Sequence, residues 1–532
     1  MTAPDLIKPA PKLEKPRRRI SAVRVLLSML LIGAFTAGGY GGWQWWSSAQ
    51  AAEGYDPWFA GYVDVTATPT FNFEASGLPA GRDVVLSFIV AGKDDPCAPT
   101  WGTAYTLKEA SEALDLDRRL ARLEQLGGQI VVSFGGLLNN ELATGCADPD
   151  ALVAAYAEVL DRYNVTTIDL DIEAGNLTDA AAGRRRAEAI HTLQADRRKA
   201  GKDLAVWLTL PVAPSGMSED GTNSVSQMLT AGVDLAGVNV MTMNYGSSRT
   251  EGGSMADASI QALTSAQRQL GTLYSRAGTD LTAATVWSKI GATPMIGQND
   301  VNDEVFGMQD AEKLNTFAHE MKIGRMSLWS LNRDTTCGSN YVDLKWVSDA
   351  CSGIDQGDLK FVDLLGDGFT GRPETSAVAV TTSESDQLQN VVDDPATSPY
   401  MIWSVKASYL KGTKVVWHRN VYQGKWWTRG DLPDNPVLNE WETPWTLIGP
   451  VLPGEKPVEQ PTLPAGTYPD WKGTDTYDKG NRVLFDGVPY ESKWWNQGES
   501  PEAASSNPDG SPWTPFTEDE VVAVRDSLTK QG

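Results

Sequence analysis

Three carboxylates alternate along one apolar segment of this 532-residue sequence. In the segment TIDLDIEAG, Asp169, Asp171 and Glu173 occupy every second position, with isoleucine or leucine between them. Side chains alternate along a β-strand, so the three acids share one face. Inside a closed barrel, burial and like charges would oppose ionisation, and at least one carboxyl would keep its proton near neutral pH. We therefore predict that Glu173 is a general acid, Asp171 its partner and Asp169 a deeper tuning group.

Two other structures would also accommodate three acids. An exposed edge strand would carry them on its solvated face, and a calcium site would take oxygen ligands from a loop. Regular alternation with apolar residues favours the barrel interior over both. No metal or cofactor is predicted, because the sequence has only three histidines and none is near the acidic segment.

The acidic segment is one of eight short apolar runs that alternate with helical patterns between residues 55 and 362. This alternation predicts an α/β fold, a (β/α)8 TIM barrel, whose active site lies at the carboxyl ends of the strands. The eight runs begin at Phe59, Val84, Gln129, Thr166, Leu204, Ala236, Ile290 and Met326.

A repeat follows the barrel. Eleven residues, from Trp403 to Trp445, recur 68 positions later, which predicts two small all-β modules over residues 399–449 and 467–517. Each copy contains a tryptophan pair and few aliphatic residues to bury it, so exposed rings that stack on sugars are expected. A core made of all the tryptophans is the alternative. The predicted stacking residues are Trp426, Trp427, Trp494 and Trp495, and the predicted core tryptophans are Trp403, Trp445, Trp471 and Trp513.

The amino terminus has a basic flank, an apolar run and a WQWW segment. This pattern predicts a single-pass cell-membrane anchor with an extracellular catalytic domain, and a secreted protein released at the small residues 49–51 is the alternative. The remaining predicted segments are a basic cytoplasmic tail (1–24), the anchor (25–45), a linker (366–398), a proline-rich linker (450–466) and a terminal tail (518–532).

The formal charge of −23 excludes a polyanion-binding role, so no nucleic-acid partner is predicted and a monomer is expected. Four cysteines in an exported chain suit two disulfides. We favour Cys97 with Cys146 and Cys337 with Cys351, and free buried thiols are the alternative.

The acidic segment resembles the DxxDxDxE signature of family 18 glycoside hydrolases, the chitinases of bacterial type. Three further segments agree with that family in order: SFGG from Ser133, MTMNYG from Met241 and LWSLNRD from Leu328. The resemblance covers roughly residues 57–350. The two repeats resemble the short chitin- and cellulose-binding modules of families 5 and 12.

The family resemblance implies retaining hydrolysis of chitin, in which the 2-acetamido group of the sugar attacks the anomeric carbon. It assigns substrate contacts to the motif residues Ser133, Gly135, Gly136, Met241 and Trp329. It also implies catalytic roles for Asn244, which stands where the family carries aspartate, and for the hydroxyl of Tyr245 or of another tyrosine nearby.

The sequence also yields predictions for positions outside the four motifs and the modules. Thr166 replaces the first acid of the signature, which would remove the deepest member of the proton network. Asn299 and Asp300 are candidates for a sugar-contacting loop, and Arg184–Arg186 is predicted to be a solvated helix face.

The resulting hypothesis is a membrane-anchored chitinase that is held on chitin by its modules. The alternatives are a non-catalytic chitin-binding surface protein and an endo-β-N-acetylglucosaminidase that acts on glycans.

Overall fold

A computed structural model describes residues 56–75, 83–339, 341, 347–373, 392–452, 454–457 and 461–529. The predicted basic tail and membrane anchor lie outside these residues, as does most of the predicted linker at 366–398. Among the described residues, no helix is both long enough and apolar enough to cross a membrane.

Eight parallel strand segments close into a barrel, as the alternating apolar runs predict. The first run is split into two short strands: β1 pairs with the last strand, β14, and β2 pairs with β3, so the ring is closed. The fourth barrel strand, β7, pairs with β6 on one side and β8 on the other. The strands from β1 to β14 are Trp58–Phe59, Gly61–Asp64, Val84–Ala91, Pro99–Trp101, Tyr105–Thr106, Ile130–Gly135, Thr167–Asp171, Ala205–Ala213, Gly216–Met217, Leu235–Met241, Ile290–Thr293, Gly297–Gln298, Val305–Phe306 and Arg325–Met326.

Helices surround this ring and bury its outward-facing aliphatic side chains in one continuous core. Ile168 and Leu170 of β7 belong to that outer core, because strand alternation turns them away from the acids. The helices are Leu107–Ala113, Leu116–Gln125, Leu142–Gly145, Pro149–Tyr163, Ala174–Thr178, Ala180–Lys199, Glu219–Thr230, Met255–Arg276, Ala283–Ser288, Met308–Met321 and Phe361–Gly366.

Both predicted disulfide pairs are confirmed. Cys97 and Cys146 are bonded with a Cα–Cα distance of 4.6 Å, and Cys337 and Cys351 with one of 5.0 Å. The first bond ties the loop after β3 to the loop after β6, at the end of the barrel where the acids emerge.

Two small all-β units follow, and their strands correspond at the 68-residue offset. In each unit a two-stranded and a three-stranded antiparallel sheet pack on a tryptophan-rich core. The first unit contains β15 to β19: Ser408–Tyr409, Lys414–Trp417, Asn420–Gly424, Thr428–Arg429 and Trp445–Pro450. The second contains β20 to β24: Thr476–Tyr477, Arg482–Phe485, Val488–Ser492, Asn496–Gln497 and Trp513–Pro515.

Two predicted segment boundaries differ from the structure. The predicted linker began at residue 366, but Phe369 is buried in the barrel core and the Thr167 hydroxyl donates to the Pro373 carbonyl at 2.9 Å. The predicted terminal tail contains the helix Glu518–Thr529, whose Val521 is buried against Phe516. Both segments lack strong periodicity, so the sequence contained no clear signal of their packing.

The two modules make contact with the domain that precedes each of them. Glu440 of the first module pairs with Arg268 of the barrel helix Met255–Arg276 at 2.5 Å. In the second module, the Asn507 amide donates to the Lys411 carbonyl of the first at 2.8 Å, and Ala503 enters the first module's core. The same part of the module therefore forms the contact in both copies.

Candidate active site

Strand β7 places the predicted acids inside the barrel. Asp169 and Asp171 point inward and are almost completely buried, at 0% and 4% exposure. Glu173 follows the strand, is half-buried, and precedes the short helix Ala174–Thr178. The acids therefore run from the barrel interior to its mouth, with Glu173 outermost.

Asp169 is surrounded by hydrogen-bond donors. One carboxylate oxygen accepts from Arg325 and from the Thr209 hydroxyl, both at 2.6 Å. The other accepts from the hydroxyls of Ser133 at 2.6 Å and Tyr62 at 2.9 Å. Both oxygens of the buried Asp169 carboxylate are therefore satisfied, by one guanidinium and three hydroxyl donors.

Asp171 is in a different environment, although it is only two residues away. Its Oδ1 atom is buried and has no hydrogen-bond partner among the described residues. Burial, together with the charges of Glu173 and Asp169, raises the pKa of Asp171 well above its usual range. The surroundings of Asp171 therefore favour its protonated form, and they leave Oδ1 without a partner among the described residues.

Glu173 is poised to titrate near neutral pH. Burial and, to a lesser extent, the charge of Asp300 raise the pKa of Glu173 to about 7. An acid that is half-protonated near neutrality can both donate and accept a proton during a reaction cycle. Glu173, which the sequence pattern predicts to be the proton donor, therefore lies at the mouth of the barrel with a raised pKa.

Asn244 lies beside Asp300 at the same end of the barrel. The Asn244 amide donates to the Asp300 carboxylate at 2.7 Å, and its carbonyl oxygen accepts from the Asp300 backbone amide at 2.9 Å. Both side chains are exposed. The carboxylate that acts on Glu173 is thus carried by the loop after β12, and Asn244 holds it in place.

An aromatic pair lines the mouth. Trp329 is half-buried and stacks on Phe88, with ring centroids 5.6 Å apart and planes 20° apart. A side chain at Gly136 would come within 2.9 Å of the Phe88 ring, and one at Gly135 within 2.1 Å of the Asp171 carbonyl oxygen. The two glycines therefore allow β6 to pack closely against β7 and Phe88. Phe88 was not predicted, because one phenylalanine in an apolar strand carries no distinguishing signal.

Two predicted site residues, Ser133 and Tyr245, have positions that differ from their predicted roles. Ser133 is completely buried and donates to Asp169, so it supports a carboxylate and is not exposed to a substrate. The Tyr245 hydroxyl contacts Ser259 at 3.3 Å on the helix behind the barrel and is buried there. The remaining predicted contact, Met241, is half-buried at the carboxyl end of β10.

Thr166 is not part of the acid network. It is exposed and lies before β7, and its odd-numbered separation from Asp169 directs its side chain to the other face of the strand. The prediction that its substitution removes the deepest proton-network member was therefore wrong. The interior position next to Asp169 is instead occupied by Arg325. Arg325 is a charged residue at the start of an apolar run, and this signal in the sequence was missed.

A buried ion pair supports the loop next to Glu173. The Glu141 carboxylate accepts from Arg186 at 2.8 Å and from the Tyr156 hydroxyl, and both partners are buried. Arg186 is thus not on a solvated helix face as predicted. The Glu141 backbone amide donates at 3.0 Å to Asn176, which lies in the helix that Glu173 precedes. The Glu141–Arg186 ion pair therefore connects the segment after β6 to the helix that follows Glu173.

The tryptophan pairs of the two modules are exposed. Trp426 and Trp427 have 44% and 55% of their surface exposed, and Trp494 and Trp495 have 45% and 61%. The predicted core tryptophans Trp403, Trp445 and Trp513 are buried, and Trp471 is partly buried in the second core. In each module a lysine ammonium lies over the first ring of the pair.

A cavity of about 480 Å³ lies away from these acids, at the amino ends of the strands. Asp117, Arg162 and Arg372 are among its lining residues, and none of the predicted site residues is. The predicted acids therefore lie at the opposite end of the barrel from this cavity, at the end where active sites of this fold are usually found.

The fold and the site together define a TIM-barrel domain with buried and half-buried carboxyl groups leading to its mouth. No family model matches the chain. Two curated relatives are similar to part of the chain: "Probable bifunctional chitinase/lysozyme" of Escherichia coli K12, 34% identical over 291 residues, and "Endochitinase 11" of Metarhizium anisopliae, 35% identical over 288. The matches cover 53% and 52% of this chain but only 31% and 52% of the relatives' lengths.

Solved structures give the same result. The active domain 2 of a chitinase from Pyrococcus furiosus matches with a TM-score of 0.50 and 27% identity, over 60% of this chain and 99% of that domain. A second structure, of the catalytic domain of the hyperthermophilic chitinase from that organism, matches equally well. The similarity thus extends over almost the whole of a chitinase catalytic domain.

Proposed function

We propose that this chain is a chitinase that hydrolyses β-1,4 bonds between N-acetylglucosamine units. One observation carries the proposal: a half-buried Glu173 with a pKa of about 7 lies at the barrel mouth, close in sequence to a buried Asp171 whose Oδ1 atom has no partner among the described residues. The similarity of the barrel to chitinase domains, over nearly their whole length in the solved structure, supports the same substrate.

In the proposed reaction, Glu173 donates its proton to the glycosidic oxygen while the substrate's 2-acetamido oxygen attacks the anomeric carbon. The C–O bond to the leaving sugar breaks, and a cyclic oxazolinium ion forms. Asp171 accepts a hydrogen bond from the acetamido N–H and stabilises the charge that develops there. Glu173 then takes a proton from water, which opens the ion, and the configuration is retained.

Residues around the acids have supporting roles in this proposal. Burial, the charge of Glu173 and the charge of Asp169 raise the pKa of Asp171. Trp329 with Phe88 supplies an apolar floor for the sugar ring. Asn244 and Asp300 set the electrostatic potential at Glu173.

The two modules are proposed to bind the polymer surface. Exposed, adjacent tryptophans in each copy offer flat apolar faces for pyranose rings, and two linked sites raise avidity by roughly 10²-fold or more. The amino-terminal apolar run is proposed to anchor the protein in the cell membrane with the barrel outside, or to direct its secretion.

The direct test compares release of soluble sugars from colloidal chitin by the parent chain and by Glu173→Gln. Loss of the general acid should lower the rate by about 10²–10⁴-fold. Glu188→Gln, on an exposed position of the helix Ala180–Lys199, is the matched control and should leave the rate unchanged.

Three results would favour another function. Chitin binding without any sugar release by the parent chain would indicate a non-catalytic surface protein. Release from N-linked glycans but not from chitin would indicate an endo-β-N-acetylglucosaminidase. Preferential release from bacterial peptidoglycan, suggested by the name of the E. coli relative, would change the proposed substrate.

A further inference from the structure

The two modules differ beside their tryptophan pairs. Trp441 of the first module has 65% of its surface exposed, the largest value for any tryptophan among the described residues. The corresponding position in the second module, 68 residues later, is Asp509. Exposed indole rings are uncommon and often mark a binding surface. The feature is therefore specific to the first module.

Trp441 lies on a turn that is joined to the tryptophan pair. It is the central residue of the 3₁₀ turn Glu440–Glu442. The Lys425 ammonium donates to the backbone carbonyls of Glu440 and Thr443, and it lies 5.8 Å from the centroid of the Trp426 ring. One lysine side chain thus connects the turn to the first ring of the pair.

The same turn also contacts the barrel. The Glu440 carboxylate pairs with Arg268 at 2.5 Å, and Leu438, just before the turn, packs against the barrel core. The Thr272 hydroxyl donates to the Val437 carbonyl at 3.2 Å. Because the turn is held from both sides, little conformational freedom would be lost when a ligand binds there.

We propose that Trp441 is a third sugar-stacking residue, which extends the surface of the Trp426–Trp427 pair towards the barrel. The first module then binds a longer run of N-acetylglucosamine polymer than the second module does. A flat indole suits the apolar face of a pyranose, and Glu442 beside it offers acceptors to sugar hydroxyl and acetamido N–H groups. This inference rests on the proposed polymer-binding function of the modules.

The test measures partition of the full chain onto insoluble chitin. All variants carry Glu173→Gln, so that the polymer is not consumed, and Trp494→Ala with Trp495→Ala, so that avidity from the second module does not mask the effect. In this background Trp441→Ala should weaken binding about 5- to 30-fold, the usual range for a central interface tryptophan. Val522→Ser, an exposed apolar residue of the terminal helix, is the control and should bind like its parent.

A gain-of-function variant provides an independent measurement. In a chain whose first pair is removed by Trp426→Ala and Trp427→Ala, Asp509→Trp should tighten binding several-fold. Titration with N-acetylglucosamine oligomers should also show that Trp441→Ala removes the gain in affinity between the trimer and the hexamer.

The outcomes separate this inference from the proposed function. If Trp426→Ala with Trp427→Ala abolishes binding but Trp441→Ala has no effect, the third stacking residue is disproved and the polymer-binding modules stand. If none of these substitutions changes binding, the proposed function of the modules itself fails. If Trp441→Ala instead converts a dimer to a monomer in size-exclusion chromatography, the ring covers a second copy of the chain and the inference is wrong.

Discussion

Replacing Asp300 by asparagine should lower the pKa of Glu173. The Asp300 charge is the second cause, after burial, of the rise of that pKa from 4.5 to about 7. Asparagine preserves the shape of the side chain and can still accept the hydrogen bond from Asn244, while the backbone bond from residue 300 is unaffected. The substitution therefore removes a charge and little else.

The size of the change follows from the structure. Because burial is the larger cause, the charge contributes less than half of the rise in pKa. Asp300 is exposed, so solvent screens its interaction further, and a decrease of about 0.5–1 pH unit is expected. The general acid must be protonated, so activity is lost as pH rises through the pKa of Glu173. Lowering that pKa moves the alkaline limb of the pH profile to lower pH.

The assay is the pH dependence of kcat/KM on a chromogenic N-acetylglucosamine oligomer, at low and high ionic strength. Asp303→Asn is the matched control, because Asp303 is in the same loop and its carboxylate is paired with Arg249. The alkaline limb should move in Asp300→Asn alone, and the difference should shrink at high salt. An unchanged limb, or one that moves to higher pH, would refute the electrostatic coupling between the loop and the general acid.

Three further changes test the site and its scaffold. Asn244→Asp adds a second carboxylate at the mouth and should move the alkaline limb to higher pH by several tenths of a unit; a downward shift would contradict this. Arg325→Met leaves the buried Asp169 charge without its cation and should lower the free energy of unfolding in urea by about 3–5 kcal/mol. The Asp169→Asn/Arg325→Met double variant should recover part of that loss. Removing the Cys97–Cys146 bond, which closes a 49-residue separation, by Cys97→Ser and Cys146→Ser should cost roughly 2–4 kcal/mol, measured as a lower unfolding midpoint under non-reducing conditions that keep Cys337–Cys351 intact.

The sequence predicted the parts of this protein that are periodic or repeated. Strand alternation placed Asp169 and Asp171 on the inner face of the barrel, and the constant offset of 68 residues identified two modules with the same strand order. The exposure of Trp426 and Trp427 followed from an imbalance between aromatic surface and the aliphatic residues available to bury it. Each of these inferences uses local geometry or composition, which a sequence displays directly.

Interactions between distant segments were harder to predict. The Arg325 guanidinium and Asp169 are separated by 156 residues, and the Tyr62 hydroxyl and Asp169 by 107. Nothing in a single sequence pairs such residues until the barrel closes and brings its strands into register. Tyr245 was misplaced for the related reason that the turn after β10 directs its ring outwards, towards the helix that contains Ser259.

The interior network gives the two buried acids of one strand different surroundings. Asp169 receives four donors, including a buried guanidinium whose carbon lies within 5.1–5.6 Å of three aromatic ring centroids. Asp171 receives none at Oδ1 and is exposed to the charge of Asp169. The donors come from four strand segments, β2, β6, β8 and β14, and together they hold the Asp169 carboxylate inside the barrel. Burial, the charge of Glu173 and the charge of Asp169 raise the pKa of Asp171, so the deeper carboxylate favours the proton on the acid nearer to the mouth.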